Sequence, residues 1–388
     1  MADFQTVNIK SLTDTKFVKR FSEFIKLKVS PTELSQFKSV DNTLFNAVDE
    51  KLRAAKSQLD VIKPERYFNI MNLEDTYLYL KNILRNKYNM QVSTNASMKM
   101  YEMICQLGLL QNNMRIFCNA EFPGAFLCTI HHYMTTHKLS YTAWASSYVL
   151  AADVTLLTDK YGILARHPDM WLMGKKYKYV NNQGLIDGDV TNIDCLLEYE
   201  QLLQVDLYTS DAGIDVSDDY NSQENSTLFI NYGQILSGLL CLVNGGKLLT
   251  KQYTFNNPFN RSIIVLLAHV FENLQIVKPL TSRPGNSEIY LYGEGFIKDK
   301  FLPLRAQLLD KLAKKDSTPL FNLCLEAELF KYADYLCREQ ILFINEIYYV
   351  HLHFDAILAT KDKIISQNNK KINDWLKLNP VLKSYSPL

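Results

Sequence analysis

Four stretches of the 388-residue chain each bring an ionisable side chain to the end of a short apolar run. Arg115 to Phe126 runs apolar into Glu121 and then into a Pro123-Gly124 turn, followed by a helix-length segment. Val205 to Gly213 closes on Asp211 and a small-residue turn, and Gly245 to Tyr253 carries Lys251 at the end of the next apolar run. Lys278 to Tyr290 ends one strand, turns through Pro284-Gly285 and opens another with Glu288 at its mouth. A solvated lysine or a turn with one glycine is the default reading of any of these alone. Read together they suggest a cleft: ligands settle at the carboxyl ends of strands in an open sheet, and Gly124 has no side chain to block one. A lysine at such an edge can be aimed inward, where burial shifts its proton affinity readily.

The elements that must position these groups follow from hydrophobic period. Thr13 to about Leu110 has helical spacing, with Phe17, Phe21, Phe24 and Ile25 three and four residues apart and the pattern returning at Tyr77 to Leu84; no strand is expected there. From Met114 the texture changes to strand-length runs, Met114 to Cys118, Tyr141 to Val149, Val205 to Ser210, Gly246 to Tyr253 and Leu274 to Val277. Helix-length segments lie between them, at Phe126 to Thr136, Leu228 to Val243 and Ser262 to Phe271. Such alternation predicts an α/β fold built from βαβ units around a mainly parallel sheet. Past Leu302 the helical texture resumes, with Leu304, Leu308 and Leu312, then Ile341, Ile344, Ile347 and Tyr348 as apolar stripes. The expected organisation is a helical region over 1–90, an α/β domain over 91–300 and a helical region over 301–388. The polar stretch from Asp215 to Ser226 reads as a surface loop beside the site.

Composition narrows the function classes. With 47% hydrophobic residues the chain can bury a large core, so disorder is not expected. Forty-two basic and 41 acidic side chains leave a net charge of +1, so attraction to phosphate must come from local clusters. The seven cysteines are scattered without a CxxC pair, which argues for reduced thiols and against a zinc site. The first residues lack the pattern of a secretory signal, and the apolar runs Ile235 to Val243 and Ile263 to Val270 are too short to span a bilayer. The expectation is a soluble protein of the cytoplasm, with a viral compartment or the nucleus as alternatives.

In order and spacing, the segments resemble the FtsJ-like ribose methyltransferases: a Glu-x-Pro-Gly-Ala-Phe cofactor turn at Glu121 to Phe126, Thr-x-Asp-x-Gly at Thr209 to Gly213, Gly-Gly-x-Leu-x-x-Lys ending at Lys251, and Ser-Arg-Pro-x-Asn-Ser-Glu at Ser282 to Glu288. The last is characteristic of the cap-specific branch, found in animals and large cytoplasmic DNA viruses. Asn95 to Met100 resembles the helix carrying that branch's first catalytic lysine, so the catalytic Lys-Asp-Lys-Glu tetrad is carried over onto Lys99, Asp211, Lys251 and Glu288. The likeness runs from about Asn95 to Phe296. It implies a Rossmann-like methyltransferase sheet with its last strand antiparallel, flanked by the helical regions. The implied cofactor is S-adenosylmethionine, held by Glu121, Pro123, Gly124, Ala125, Phe126 and Asp211, with Asp189 resembling the third-strand acid that contacts adenine. Two features depart from the pattern: Ala125 replaces a common glycine, and Tyr141 to Val149 ends without the usual ribose-binding acid.

The implied reaction is methyl transfer to a ribose 2′ oxygen of capped messenger RNA, without a metal. Lys251 would be the general base, its pKa lowered by burial and by nearby positive charge, while Asp211 and Glu288 orient the lysines. A cap-stacking aromatic is also implied, but Trp144 and Trp171 read as core, and His131 and His132 as structural or surface groups. Other capping or transcription proteins are possible partners and no membrane is expected. The competing readings are a ribosomal or transfer RNA methyltransferase of the same family, and a silent RNA-binding or scaffold subunit. Which nucleotide is modified, and what the flanking regions do, stays open.

Overall fold

The structure, a computed structural model, describes residues 24–36, 41–148, 159–172, 188–213, 223–321 and 324–388. Its centre is a seven-stranded sheet. The strands in chain order are β1 (Ile25–Val29), β2 (Met114–Asn119), β3 (Tyr141–Ala145), β4 (Val205–Ser210), β5 (Leu242–Gln252), β6 (Phe271–Lys278) and β7 (Ile289–Phe296). Their spatial order is β1-β6-β7-β5-β4-β2-β3. β3, β2, β4 and β5 pair in parallel, whereas β7 lies antiparallel between β5 and β6. The expected Rossmann-like sheet with its last strand antiparallel is therefore present.

The helices in chain order are α1 (Thr43–Ser57), α2 (Pro64–Glu74), α3 (Leu80–Tyr88), α4 (Asn95–Leu107), α5 (Ala125–Thr136), α6 (Ile193–Leu202), α7 (Leu228–Cys241), α8 (Pro258–Val270), α9 (Arg305–Ala313), α10 (Glu326–Leu352) and α11 (Lys361–Leu378). None of the described helices is long and apolar enough to cross a membrane.

The period-two alternation of the strands divides the core. Phe117, Tyr208 and Leu248 point to one face, where α6, α7 and α8 cover them. Ile116, Cys118, Leu207, Leu249, Tyr290 and Tyr292 point to the other, against α4 and α5. Lys251 has the parity of Leu249, and Glu288 that of Tyr290. Both are therefore directed to the face on which α4 lies.

The largest departure from the sequence reading is β1. Phe24 and Ile25 were expected on a helix; instead Ile25 to Val29 adds an antiparallel edge strand to β6, pairing Ile25 with Lys278 and Val29 with Leu274. The segment Ile-Lys-Leu-Lys-Val alternates apolar and basic side chains, a period-two signal that the helical spacing further upstream outweighed. Lysines on such an edge also discourage further strand addition. Smaller differences concern ends: β6 starts at Phe271, α8 starts at Pro258, and β5 extends back to Leu242. The expected surface loop from Asp215 to Ser226 is described only from Gln223. There a helical turn brings the partly exposed Glu224 against the loop after β5, where its carboxylate accepts from Thr254 Oγ1 (2.6 Å), Asn256 N, Asn257 N and Asn260 Nδ2.

The flanking helices pack on the sheet domain and on each other. Val48, Leu52 and Ala55 of α1 meet Cys337 and Ile344 of α10. Leu80 and Leu84 of α3 share a cluster with Met98 and Tyr101 of α4 and with Ile372 and Trp375 of α11. Leu308 and Leu312 are buried as the leucine stripe predicts. The seven cysteines are all free thiols, five of them buried.

Candidate active site

The register explains how residues far apart in sequence converge. Asn119 of β2 pairs with Ser210 of β4, which pairs with Thr250 of β5, so the carboxyl ends of three parallel strands stand level. Glu121, Asp211 and Lys251 follow within two residues. β7 runs the opposite way, with Lys251 opposite Tyr290, so Glu288, just before β7, arrives at the same edge. Lys99 comes from α4. That helix starts at Thr94, whose Oγ1 accepts from Ser97 N (3.2 Å), and ends at Gly108 in left-handed conformation. At the other end of β5, Lys247 Nζ donates to Gly108 O (2.9 Å), fixing the helix along the sheet.

The four side chains form two ion pairs. Lys99 Nζ donates to both oxygens of Glu288 at 2.8 and 2.9 Å. Lys251 Nζ lies 3.4 Å from Asp211 Oδ1 and donates to the Asp211 carbonyl (2.8 Å). Tyr290 joins the pairs: its hydroxyl donates to Asp211 Oδ1 (2.9 Å), and its ring centre is 5.7 Å from Lys99 Nζ. Glu288 also accepts from Ser282 Oγ (2.8 Å). Burial opposes its charge, but Lys99, Lys251 and Lys278 hold its carboxyl down at about 2. Burial likewise pushes the Lys251 ammonium down, yet Asp211, Tyr253 and Glu288 together outweigh it and raise its pKa above the ordinary lysine value. Burial alone therefore does not give the expected lowering of Lys251, which also invokes the cofactor's sulfonium: two carboxylates and a phenol face it, so without further positive charge it is an ammonium.

Sequence reading missed several supports. Lys278 is fully enclosed, donating to Glu288 O (2.7 Å), Asn286 O and Asn286 Oδ1; burial, countered by Glu288 and reinforced by Lys99, brings it down to about 8. Glu102, one turn after Lys99 on α4, accepts from Leu280 N (2.7 Å), Thr281 N and Thr281 Oγ1. It clamps the Lys278 to Glu288 turn to the helix bearing Lys99. The available signal was the spacing of Lys99 and Glu102 within an apolar helix, since an acid on a buried stripe requires donors.

The turn after β2, where the cofactor is expected, is tightly wound. Asn119 Oδ1 accepts from Ala120 N (2.8 Å), and Glu121 N donates to Ser146 O at the end of β3. Phe122 N donates to Ser147 Oγ, and Gly124 N returns to Glu121 O (2.7 Å). Gly124 has φ +113°, and a Cβ there would stand 2.5 Å from Ile163 Cδ1, so only glycine fits. Ala125 opens α5. Phe126 is core, 2% exposed, with its ring centre 6.5 Å from that of Tyr290. Glu121 accepts from Leu127 N (2.9 Å); burial and the nearby Asp211 raise its pKa to about 8. No described cation pairs with Glu121. Two acids at a strand edge, one of them uncompensated, suit a cationic ligand. Gly213 continues the lining: a Cβ on it would lie 3.0 Å from both Lys251 Nζ and the Tyr253 hydroxyl.

Asp189 resembles the family's third-strand acid, and its Asp-Gly surroundings also read as a turn. It stands in the turn before α6, its Oδ1 accepting from Thr191 N (2.8 Å). The adjoining Gly188 packs so closely on the backbone of Ser147 that a Cβ would meet its carbonyl oxygen at 1.9 Å, which keeps Asp189 near the cofactor turn. Trp171 is buried and edge-on to Phe122 (5.7 Å), as a core residue should be, and Trp144 is partly buried against the other cluster. His132 is buried and bonds Leu382 O (2.9 Å), a structural role.

Comparison with known proteins agrees with this geometry. Residues 92–296, more than half of the chain, match the FtsJ-like methyltransferase family. A probable methyltransferase (EP424R) of African swine fever virus, isolate Pig/Kenya/KEN-50/1950, is 34% identical over 354 residues, covering 86% of this chain and 83% of its own. An uncharacterised protein (L511) of Acanthamoeba polyphaga mimivirus is 29% identical, over 79% of this chain and 40% of its own. The cap-specific mRNA (nucleoside-2′-O-)-methyltransferase 2 of Drosophila melanogaster is 28% identical, over 79% and 44%. The chain belongs to the FtsJ-like methyltransferases, enzymes that use S-adenosylmethionine.

Proposed function

We propose that this enzyme methylates a ribose 2′ oxygen near the 5′ cap of messenger RNA, with Lys99, Asp211, Lys251 and Glu288 as its catalytic residues. The observation that carries the reading is the convergence of two lysine–carboxylate pairs, one buried and one partly exposed, from four separate segments on one strand edge. Buried ion pairs contribute little to stability for the desolvation they cost, so such a pair of pairs beside a cofactor turn is better explained by chemistry. The Ser282 to Glu288 turn and the cap-specific relative of Drosophila favour a capped substrate over ribosomal or transfer RNA.

Bound S-adenosylmethionine supplies a methyl group on a cationic sulfonium. We assign its holding to the turn Glu121, Pro123, Gly124, Ala125 and Phe126, with Asp211 and Asp189 beside it. Lys99, Asp211, Lys251 and Glu288 together carry no net charge, so one added positive charge lowers the hold of Lys251 on its proton. Once neutral, Lys251 can accept the proton of the ribose hydroxyl as the oxygen attacks in line. Lys99, fixed by both oxygens of Glu288, and Asp211, fixed by Tyr290, keep that amine oriented. We place the work in a cytoplasmic, viral setting, in keeping with the viral relatives, with other capping or transcription proteins as further partners.

The test is methyl incorporation from labelled S-adenosylmethionine into matched short RNAs, one with an N7-methylguanosine cap and one with a 5′ triphosphate, followed by nuclease mapping. Labelling of a ribose 2′ oxygen only in the capped RNA is expected, and the map identifies the nucleotide. Equal labelling of both would make the enzyme a general RNA methyltransferase, and cofactor binding without labelling would favour a silent subunit.

A further inference from the structure

Two tyrosines reach the edge where the ion pairs meet, and they differ in what their hydroxyls do. That of Tyr290 is spent on Asp211 (2.9 Å). Tyr253 follows Lys251 by two residues and continues the period of β5, so both side chains lie on the same face. Its ring centre is 5.9 Å from Lys251 Nζ. The residue is 9% exposed and lines an open cavity of about 190 Å³, and its hydroxyl is accessible rather than sealed. Among the described residues no hydrogen bond occupies that hydroxyl.

Gly213 measures the gap between the two side chains. A Cβ there would stand 3.0 Å from Lys251 Nζ and 3.0 Å from the Tyr253 hydroxyl, so these polar atoms are near enough for a single ligand oxygen to bond both. The charges that act on the hydroxyl are those of Lys251, Glu288, Asp211 and Lys99. It therefore faces the four groups of the site and not Asp49 or Glu224 on the outer wall of the cavity. Burial, countered by Lys251 and Lys99 and reinforced by Glu288 and Asp211, holds the phenol above the ordinary tyrosine pKa, so it stays protonated and can donate. Packing needs only the ring, which a phenylalanine would supply; the hydroxyl calls for a partner that arrives with the ligand.

We propose that Tyr253 is a further catalytic residue: its hydroxyl donates to the 2′ oxygen of the acceptor ribose while Lys251 takes that oxygen's proton. Lys251 accepts the proton as the carbon–oxygen bond forms and the carbon–sulfur bond breaks, the electron pair of the broken bond staying on sulfur; Tyr253 keeps its own proton. A donor aimed at an oxygen that is losing its proton stabilises the charge developing there and fixes the direction of attack. The proposal rests on the reading of the enzyme as an RNA ribose methyltransferase. It gives the acceptor oxygen two partners, both from the end of β5.

Tyr253→Phe in the full chain keeps the ring and removes only the hydroxyl, and S-adenosylhomocysteine affinity serves as the folding check. With N7-methylguanosine-capped RNA, kcat is expected to fall roughly ten- to a hundredfold while that affinity stays at the wild-type value. Binding supplies a second readout without turnover. The capped RNA and its counterpart with a 2′-deoxyribose at the acceptor nucleotide are titrated by fluorescence anisotropy in the presence of S-adenosylhomocysteine. Loss of the 2′ hydroxyl should penalise wild type roughly fivefold more than Tyr253→Phe, as groups in contact should behave. Equal penalties in the two proteins, or a kcat that Tyr253→Phe leaves unchanged, would make Tyr253 a packing residue and overturn its role alone. A fall in S-adenosylhomocysteine affinity matching the fall in kcat would assign the hydroxyl to the cofactor and overturn it too. Absence of transfer by wild type to any RNA would instead remove the RNA methyltransferase reading, and the proposal with it.

Discussion

In the proposed mechanism Lys251 concentrates the chemistry in one proton. In the free enzyme its pKa is raised, so the protonated fraction dominates at neutral pH and the base must be generated. The sign follows directly: a base with a raised pKa gains activity as pH climbs, about tenfold per unit until its pKa is reached. The profile of kcat/KM for S-adenosylmethionine at saturating RNA reports the site before cofactor enters; that of kcat reports the filled site. The second should level off at the lower pH, because the sulfonium adds positive charge beside Lys251. Coincident profiles would remove the cofactor from the account of how the base forms. Lys251→Arg keeps the charge but cannot surrender a proton, so it should abolish turnover as fully as Lys251→Ala, with cofactor affinity retained in both.

At the scale of elements, α4 and the turn from Lys278 to Glu288 have to act as one body, since Lys99 sits on the first and Glu288 on the second. Glu102 is their clamp, a fully buried carboxyl with three donors from Leu280 and Thr281. Burial raises its pKa despite those donors, so the clamp is costly and its purpose is positional. Glu102→Ala should lower kcat by roughly a hundredfold through misplacement of Glu288 while cofactor affinity and RNA affinity change little. Parallel losses in folding and in cofactor affinity would instead mark Glu102 as general scaffolding.

At the scale of the whole molecule, Arg261 ties the three regions together. Completely buried on α8, it donates to Glu326 Oε1 (2.7 Å) of α10, to Asn42 Oδ1 (2.7 Å) before α1 and to Asn256 O, and it lies 3.7 Å over the Phe45 ring. Removing Arg261 leaves Asn42 Oδ1 and the Asn256 carbonyl without their donor, at a cost of about 1 to 3 kcal/mol, whereas Glu326, its side chain 30% exposed, is met by water. Arg261→Ala should therefore lower the unfolding midpoint in urea by that equivalent, as one transition shared by all regions. A separate early transition of α1 and α10, with the sheet domain intact, would show that the flanking helices fold independently.

The sequence by itself determined six of the seven strands and brought out the residues proposed for the site. Strand and helix periods are local, and the spacing of Glu121, Asp211, Lys251 and Glu288 to their apolar runs is local too. It also identified Trp171 as core. What only the tertiary structure decided was everything set by neighbours distant in the chain. β1 forms because β6 offers an edge for its alternating side chains to pair with, a partner 250 residues away that no local window contains. The turn bearing Asp189 owes its place to backbone contact with Ser147, and Glu224 is held by four donors from the loop after β5 and the helix that follows it. The balance at Lys251 in the free site is decided in the same way: burial is visible as hydropathy along the chain, whereas the fields of Asp211, Tyr253 and Glu288 add up only once register and parity bring them to one edge.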